Sequence, residues 1–356
     1  MLLHPAVSPW LREKYETVLK KERYSTFVLS ITDRCNIRCD FCCHPYMDSQ
    51  FDAADAERLV EEACVQDFDE ICLTGGEPFL RRSLLLSLAR RARAGNMMFG
   101  AITNAYWAKS PDAARRVAAE LAEAGVARVT VSWDPSHGEF VSAEKAQWAV
   151  DALMAAGLRV SLVGSFKRAG ETHADHGFDL TAHIPYANFR VVTHSVSPAG
   201  EGAALDLDRW DRPPLGERAA KGDPIHCPSR SVEELVLYSD GGLTQPCCSI
   251  YAGYKAPALS LGDWRTHSVA DLKRLWQGDG FFTLVREGGF VGLYDVVRER
   301  DPALAERLPD FATMHDSCEL CAAIMASPEG PAVRRVASEP VLDEALTRAA
   351  ELGLVR

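Results

Sequence analysis

The chain has 356 residues, 47% of them hydrophobic and 25% charged, with a net charge of −11. That is enough for one large α/β unit and a smaller one, each with its own core. The acidic balance, with no basic face in evidence, argues against a nucleic-acid partner, and no apolar run of membrane-spanning length occurs.

The N-terminal stretch has no continuous apolar segment of the secretory kind, so the expected location is the cytoplasm. Residues 1–25 read as an N-terminal segment. Apolar, β-branched runs then follow at 26–32, 70–74, 99–103, 128–132, 158–163 and 189–193. Helix-like stretches lie between most of them, such as "DAERLVEEACVQ", "SLLLSLARRARAG" and "SPDAARRVAAELAEAG". The last two end at Gly95 and Gly125, and the third opens on Ser110-Pro111, a cap followed by a first-turn proline. From the second strand on, starts recur about every thirty residues, the length of a βα unit. Six such units predict a parallel sheet curved into a partial (β/α)6 barrel of the TIM type over residues 26–205, with helices outside.

Chemistry in such sheets gathers at the C-terminal ends of the strands. The segments there are Cys35–Cys43, "GGEP" (75–78), "TNA" (103–105), "SWDPSH" (132–137), "SFKR" (165–168) and "SVSPAGEG" (195–202), and they are expected to converge. After about residue 205 the rhythm breaks. "DRWDRPPLGERAAKGDP" reads as a linker or irregular segment, and "ELVLYSDGGLTQPCC" as a β-hairpin turning at Asp240-Gly241-Gly242. Short helical pieces follow, among them residues 268–278. Residues 206–335 are taken as a small α+β domain and 336–356 as a closing helix.

Eleven cysteines stand out. In a reducing compartment, grouped cysteines bind metal or do redox work more often than they form disulfides. They fall into an early group (35, 39, 42, 43, 64, 72) and a late one (227, 247, 248, 318, 321). Cys64 shares a helical stripe with Ala56, Leu59, Val60 and Ala63, and Cys72 lies inside a strand, so both read as core. Cys35, Cys39 and Cys42 supply three thiolates from one loop. A zinc knuckle is the plain alternative, but zinc sites usually take four ligands in paired arrangements. A [4Fe–4S] cluster is normally held by four cysteines, so three leave one iron open.

The triple after the first strand, with "GGEP" after the second, resembles the radical S-adenosylmethionine (SAM) superfamily. The resemblance implies that the open iron chelates the methionine amino and carboxylate groups of SAM. Reductive cleavage then yields a 5′-deoxyadenosyl radical that abstracts hydrogen from substrate. Carried over by position, Cys35, Cys39 and Cys42 hold the cluster, and Phe41 packs near the adenine. Gly75, Gly76, Glu77 and Pro78 meet the methionine amino group, the glycines letting backbone approach the ligand. Thr103, Asn104, Ser132 and Asp134 stand where family members contact ribose or methionine, and Arg168 is a candidate partner of the SAM carboxylate. A fourth protein thiolate would occupy the iron that SAM needs, so Cys43 reads as a packing neighbour. Asp134 and His137 fit substrate contact or proton movement as well as a plain helix cap beside a solvated histidine. His44 and Tyr46 are equally undecided.

The late cysteines admit scattered zinc ligation. They also resemble the SPASM and twitch extensions of the same superfamily, which carry auxiliary Fe–S clusters. Full SPASM domains have about seven cysteines, and the five here resemble the one-cluster form. On that resemblance Cys227, Cys247, Cys318 and Cys321 hold one auxiliary [4Fe–4S] cluster, with the choice between Cys247 and Cys248 open. The spare thiol, Cys248, at a hairpin end expected to face the barrel mouth, would return a hydrogen atom to the substrate radical. Known radical SAM epimerases of peptides and aminoglycosides use a cysteine this way. Epimerisation is therefore the leading expectation. Dehydrogenation or peptide cross-linking through the auxiliary cluster is the alternative, and a zinc or Fe–S structural protein the non-enzymatic one. A flavodoxin- or ferredoxin-type reductant is implied. Twenty-five residues before the first strand are too few for a leader-binding winged helix, so the substrate is expected to be small or a peptide with another leader receptor.

Overall fold

The computed structural model describes residues 2–18, 21, 23–44, 46–168, 170–196, 200–205, 213–230, 232–247 and 257–351. Six parallel strands follow the expected rhythm: β1 (Tyr24–Thr32), β2 (Glu70–Gly75), β3 (Met98–Thr103), β4 (Arg128–Ser132), β5 (Arg159–Phe166) and β6 (Phe189–Ser195). Three more, β7 (Val232–Tyr238), β8 (Leu243–Gln245) and β9 (Gly262–Asp263), complete a single sheet of order β6-β5-β4-β3-β2-β1-β7-β8-β9. Among the described residues the sheet does not close, so the partial barrel keeps an open side.

Side chains alternate across this sheet with period two. Phe27, Leu29, Ile31, Ile71, Leu73, Phe99, Val129, Val131, Val160 and Leu162 face the helices, where Leu59, Val60, Leu85, Leu88, Val117, Leu121 and Leu153 meet them in the main core. The helices are Ala53–Cys64, Arg82–Ala94, Pro111–Glu123 and Ala143–Ala155. Ser110 caps the third as expected, its hydroxyl accepting from Ala113 N. Cys64 is half-buried against this core, and Cys72 is buried on the opposite, concave face with Val28, Val236 and Tyr238. Helix Pro9–Thr17 seats Leu11 and Tyr15 against Met98 and Ala127, near the N-terminal ends of β3 and β4.

The expected hairpin forms, but it is built into the barrel sheet. β7 runs parallel to β1 over seven registered pairs, and β8 returns antiparallel, with Gln245 opposite Val236. The reason is physical: the strand order leaves one edge of β1 unpaired, and the apolar run of β7 buries itself there. Leu261, Trp264, Val269, Leu272 and Trp276 join the main core as well. A second core is helical, gathered from Leu215, Phe281, Phe290, Leu293, Leu320, Ile324 and Val333. Leu215 opens a short helix, Leu215–Ala220, inside the stretch read as irregular. The closing helix begins earlier than expected, at Gly330, and runs through Pro340 to Glu351. Among the described residues no helix is long and apolar enough to cross a membrane.

Candidate active site

The strand ends converge. Cys35, Cys39, Phe41, Cys42, Gly75, Gly76, Glu77, Pro78, Thr103, Asn104 and Ser132 all line one cavity of about 300 Å³ at the C-terminal edge of the sheet. The triple sits on the loop after β1, with Cys39 buried beside Ile37 and Val141 and with Cys35, Phe41 and Cys42 packed against them. Tyr46 braces this loop, its hydroxyl donating to Cys39 O at 2.9 Å while the Arg38 guanidinium lies 4.5 Å over its ring. His44 N donates to Cys42 Sγ at 3.4 Å, and His44 Nε2 donates to buried Asp33 Oδ1 at 2.7 Å. Cys43 is exposed.

Burial pushes the Cys35 and Cys42 thiols up to about 11 and the Cys39 thiol higher still. Neighbouring thiolates add to this in each case; next to Cys42 the contributor is Cys43. Without metal these groups hold their protons at neutral pH, so metal binding must release them. Among the described residues no three Cys, His, Asp or Glu side chains close on a single point as one ion would require. The three thiols, with Cys43 beside them, instead border a shared cavity.

The structure gives the two glycines a packing reason of their own. A Cβ on Gly75, whose φ is +134°, would lie 2.2 Å from Thr32 O, and one on Gly76 would lie 2.2 Å from Arg34 O. Gly76 N donates to Thr32 O at 2.7 Å and Glu77 N to Arg34 O at 2.8 Å. The segment is thus stitched edge to edge onto the cysteine loop, and only glycine fits the seam.

Glu77 is buried and accepts from Asn104 N (2.8 Å), Phe79 N (3.0 Å) and Thr103 Oγ1 (3.0 Å), tying the end of β2 to the end of β3. Asn104 Nδ2 donates to Asn36 Oδ1 at 3.0 Å, so the tie extends to the cysteine loop. Burial raises the Glu77 carboxyl from 4.5 to about 7, against the pull of its hydrogen bonds. Between those values the folded chain binds more protons than the unfolded one, so this carboxyl's contribution to stability falls as pH rises. Glu77→Gln cannot titrate, and its metal-free stability is expected to change less between about pH 4.5 and 7 than that of the wild type, by denaturant unfolding.

Asp134 is buried behind the wall. Its carboxylate accepts from His137 N and Ser165 N, both at 3.1 Å, and Oδ2 lies 3.0 Å from His137 Nδ1. It holds His137 and Ser165, which themselves line the cavity. Arg168 is exposed and does not line the cavity. Sequence reasoning singled out none of Asp33, Ile37, Thr74, Ile102, Ser165 and Tyr238, although Ile37 and Ser165 fall in segments expected to converge, and all six line the cavity. Alternation along β2, β3 and β5 would have found Thr74, Ile102 and Ser165, whereas Tyr238 depends on the pairing of β7 with β1.

A second, smaller pocket is bordered by Cys227, Cys247, Cys318 and Cys321, with Phe282, Phe290 and Arg286 around them. Cys318 and Cys321 share one face of helix Ser317–Ala326, whose cap Asp316 accepts from Cys318 N at 2.7 Å. Burial, the Asp316 charge and the neighbouring thiols push the Cys318 thiol well above its usual range; burial and the neighbouring thiols do the same to Cys321. Arg286 Nη1 pairs with Glu233 at 2.8 Å, at the start of β7, and Cys227 N donates to Val285 O at 3.0 Å. The pocket therefore lies at the N-terminal end of β7, and the first cavity at its C-terminal end. The hairpin turn points toward the mouth, and Cys247 borders the pocket at the other end of β7. Cys248 lies outside the described residues.

Residues 29–174 match the family model described as the Radical SAM superfamily. The chain is 36% identical over 121 residues to GTP 3′,8-cyclase of Parasynechococcus marenigrum (strain WH8102), covering 32% of this chain and 35% of that one. It is 27% identical over 199 residues to GTP 3′,8-cyclase of Caulobacter vibrioides (strain ATCC 19089 / CIP 103742 / CB 15), covering 52% and 54%. The chain thus spans about a third to a half of the length of these relatives. Among solved structures, native anSMEcpe with bound AdoMet and Cp18Cys peptide is similar at 14% identity and a TM-score of 0.49, over 89% of this chain and 99% of that one. Streptococcus suis SuiB bound to precursor peptide SuiA is similar at 15% identity and a TM-score of 0.44, over 86% and 78%.

Proposed function

We infer, from the premise that this chain belongs to the radical SAM superfamily through residues 29–174, that it is a SAM-cleaving enzyme acting on a peptide or small natural product. Cys35, Cys39 and Cys42 would hold a [4Fe–4S] cluster, with SAM in the cavity that they share with Phe41, Gly75, Gly76, Pro78, Thr103, Asn104 and Ser132. Cys227, Cys247, Cys318 and Cys321 would hold an auxiliary [4Fe–4S] cluster. When bound, these groups supply a 5′-deoxyadenosyl radical and, with four protein ligands and no open iron, a one-electron acceptor. A flavodoxin- or ferredoxin-type reductant would feed the first.

The residues divide the remaining work. Glu77 and Asn104 fix the cysteine loop against β2 and β3, Asp134 holds His137 at the wall, and the buried apolar flank of Ile37 and Val141 excludes water. Of the substrate radical's fates, oxidation or cross-linking has the four late cysteines of one pocket as its support, while Cys248, the hydrogen donor that epimerisation would use, lies outside the described residues.

The observation that carries this reading is the convergence of four late cysteines on one pocket. Anaerobic reconstitution with iron and sulfide is expected to load about eight irons per chain, falling to about four in Cys318→Ala/Cys321→Ala. The double variant is expected to keep forming 5′-deoxyadenosine from SAM under dithionite. Equal iron in both proteins would remove the auxiliary cluster. Product two hydrogens lighter than substrate would mark oxidation, whereas a mass unchanged in H2O and raised by one deuterium in D2O would restore the epimerase.

A further inference from the structure

One charged side chain reaches the pocket of the late cysteines. Arg286 is buried on the helix Gly280–Glu287 and borders that pocket with Cys227, Cys247, Cys318 and Cys321. The other described residues lining it are apolar or small, among them Phe282, Phe290, Pro228 and Pro246. Arg286 is thus the one charged side chain among the described residues that border the four thiols. A guanidinium is costly to bury and stays charged at any working pH.

The surrounding bonds hold it in place. Nε donates to Phe282 O at 3.1 Å, one turn back on the same helix, and Nη1 lies 2.8 Å from Glu233 Oε1. The helix is capped by Asp279, which accepts from Phe282 N at 3.1 Å and, from the closing helix, from Arg334 Nε at 2.7 Å. Cys227 N donates to Val285 O, so this cysteine is tied to the residue just before Arg286. Burial pushes the Cys227 thiol up, while the Ser229 backbone and the Arg286 charge pull it down. At Cys318, burial and the Asp316 charge act the other way. The field across the pocket is therefore positive toward Cys227 and negative toward Cys318.

Glu233 offsets part of the Arg286 charge. It stands on β7 opposite Ser25 of β1 and shares a face of the strand with Leu235 and Leu237. Arg23, largely exposed, lies 3.8 Å from the same carboxylate oxygen, so Glu233 is divided between two guanidinium groups.

We propose that Arg286 sets the reduction potential of the auxiliary cluster, its positive charge favouring the reduced form, and that Glu233 positions it and moderates that charge. This deepens the proposed function and rests on the four late cysteines holding a [4Fe–4S] cluster. Reduction adds one negative charge beside four thiolates, and a cation in a buried, apolar pocket lowers the cost of adding it. A raised potential suits an acceptor of an electron from a substrate radical.

The test uses the full reconstituted chain without substrate. Electron paramagnetic resonance during a redox titration gives the midpoint of the reduced-cluster signal that Cys318→Ala/Cys321→Ala lacks. In Arg286→Gln the ratio of reduced to oxidised cluster at a fixed potential is expected to fall about tenfold, a midpoint lower by about 59 mV for one electron. Arg286→Lys keeps the charge and is expected to recover most of that shift. Glu233→Gln is expected to move the midpoint upward. Opposite signs from the two halves of one ion pair separate a charge effect from loosened structure, because both variants break the same contact. An unmoved midpoint in Arg286→Gln, or a shift of the same sign in both variants, would overturn the proposal. If Arg286→Gln loads less iron than the wild type, Glu233→Gln decides alone: a raised midpoint supports the proposal, and an unmoved or lowered one overturns it. Equal iron and identical signals in the wild type and Cys318→Ala/Cys321→Ala sink the auxiliary-cluster reading itself. A distinct signal whose midpoint ignores both variants sinks this inference alone.

Discussion

Cys42→Ala is expected to reduce 5′-deoxyadenosine formation from SAM to background, while Cys43→Ala retains it. The two residues are adjacent and both line the cavity, but they differ in exposure. Cys42 is half-buried against Cys39 and Phe41, and its sulfur accepts from His44 N. Cys43 is exposed. Three ligands leave an iron open for SAM, two do not hold the cluster, and a fourth protein thiolate would close the open position. Iron assay after anaerobic reconstitution should show Cys42→Ala losing about four irons per chain and Cys43→Ala losing none. A loss of about four irons in Cys43→Ala, beside a Cys42→Ala protein that loses none, would reverse the assignment. The pair of variants controls for mere removal of a thiol from the loop, because both carry the same chemical change.

The parts of the molecule that could be read from sequence were those with local causes. β-branched runs recurring at the length of a βα unit mark β1 to β6, because each strand buries one face under its own following helix. The cysteine triple and "GGEP" are legible because they lie at the ends of neighbouring strands, where the topology must bring them together. The pairing of β7 with β1 joins residues about two hundred positions apart and leaves no local mark, so the hairpin's direction, and with it the position of Cys247 relative to the mouth, could not be read. Asp134 shows the same limit. A cap followed by proline is visible in "SWDPSH", but its second bond, from Ser165 N on the next strand, is set only by the register of β4 and β5. Gly75 and Gly76 were legible as glycines that something must approach. What approaches them is the backbone of the cysteine loop.

That seam gives the second large effect. Gly76→Ala would bring a methyl group to 2.2 Å from Arg34 O, 2.5 Å from Arg34 C and 2.8 Å from Asp33 O. All three are backbone atoms, so no side chain can swing away; either the seam opens or the cysteine loop shifts. Opening it breaks the bonds from Gly76 N to Thr32 O and from Glu77 N to Arg34 O, and it pulls on Cys35 immediately beyond. Overpacking of this kind typically costs about 1–3 kcal/mol, and two lost backbone hydrogen bonds raise the expected loss to about 3–5 kcal/mol. Denaturant unfolding should show that loss as a lower midpoint at unchanged slope. Iron content should fall by about four per chain, because the late cysteines lie at the other end of β7 and keep their own site. Retention of full iron and stability in Gly76→Ala would mean that the seam is slack, and the glycine would then be explained by ligand approach after all.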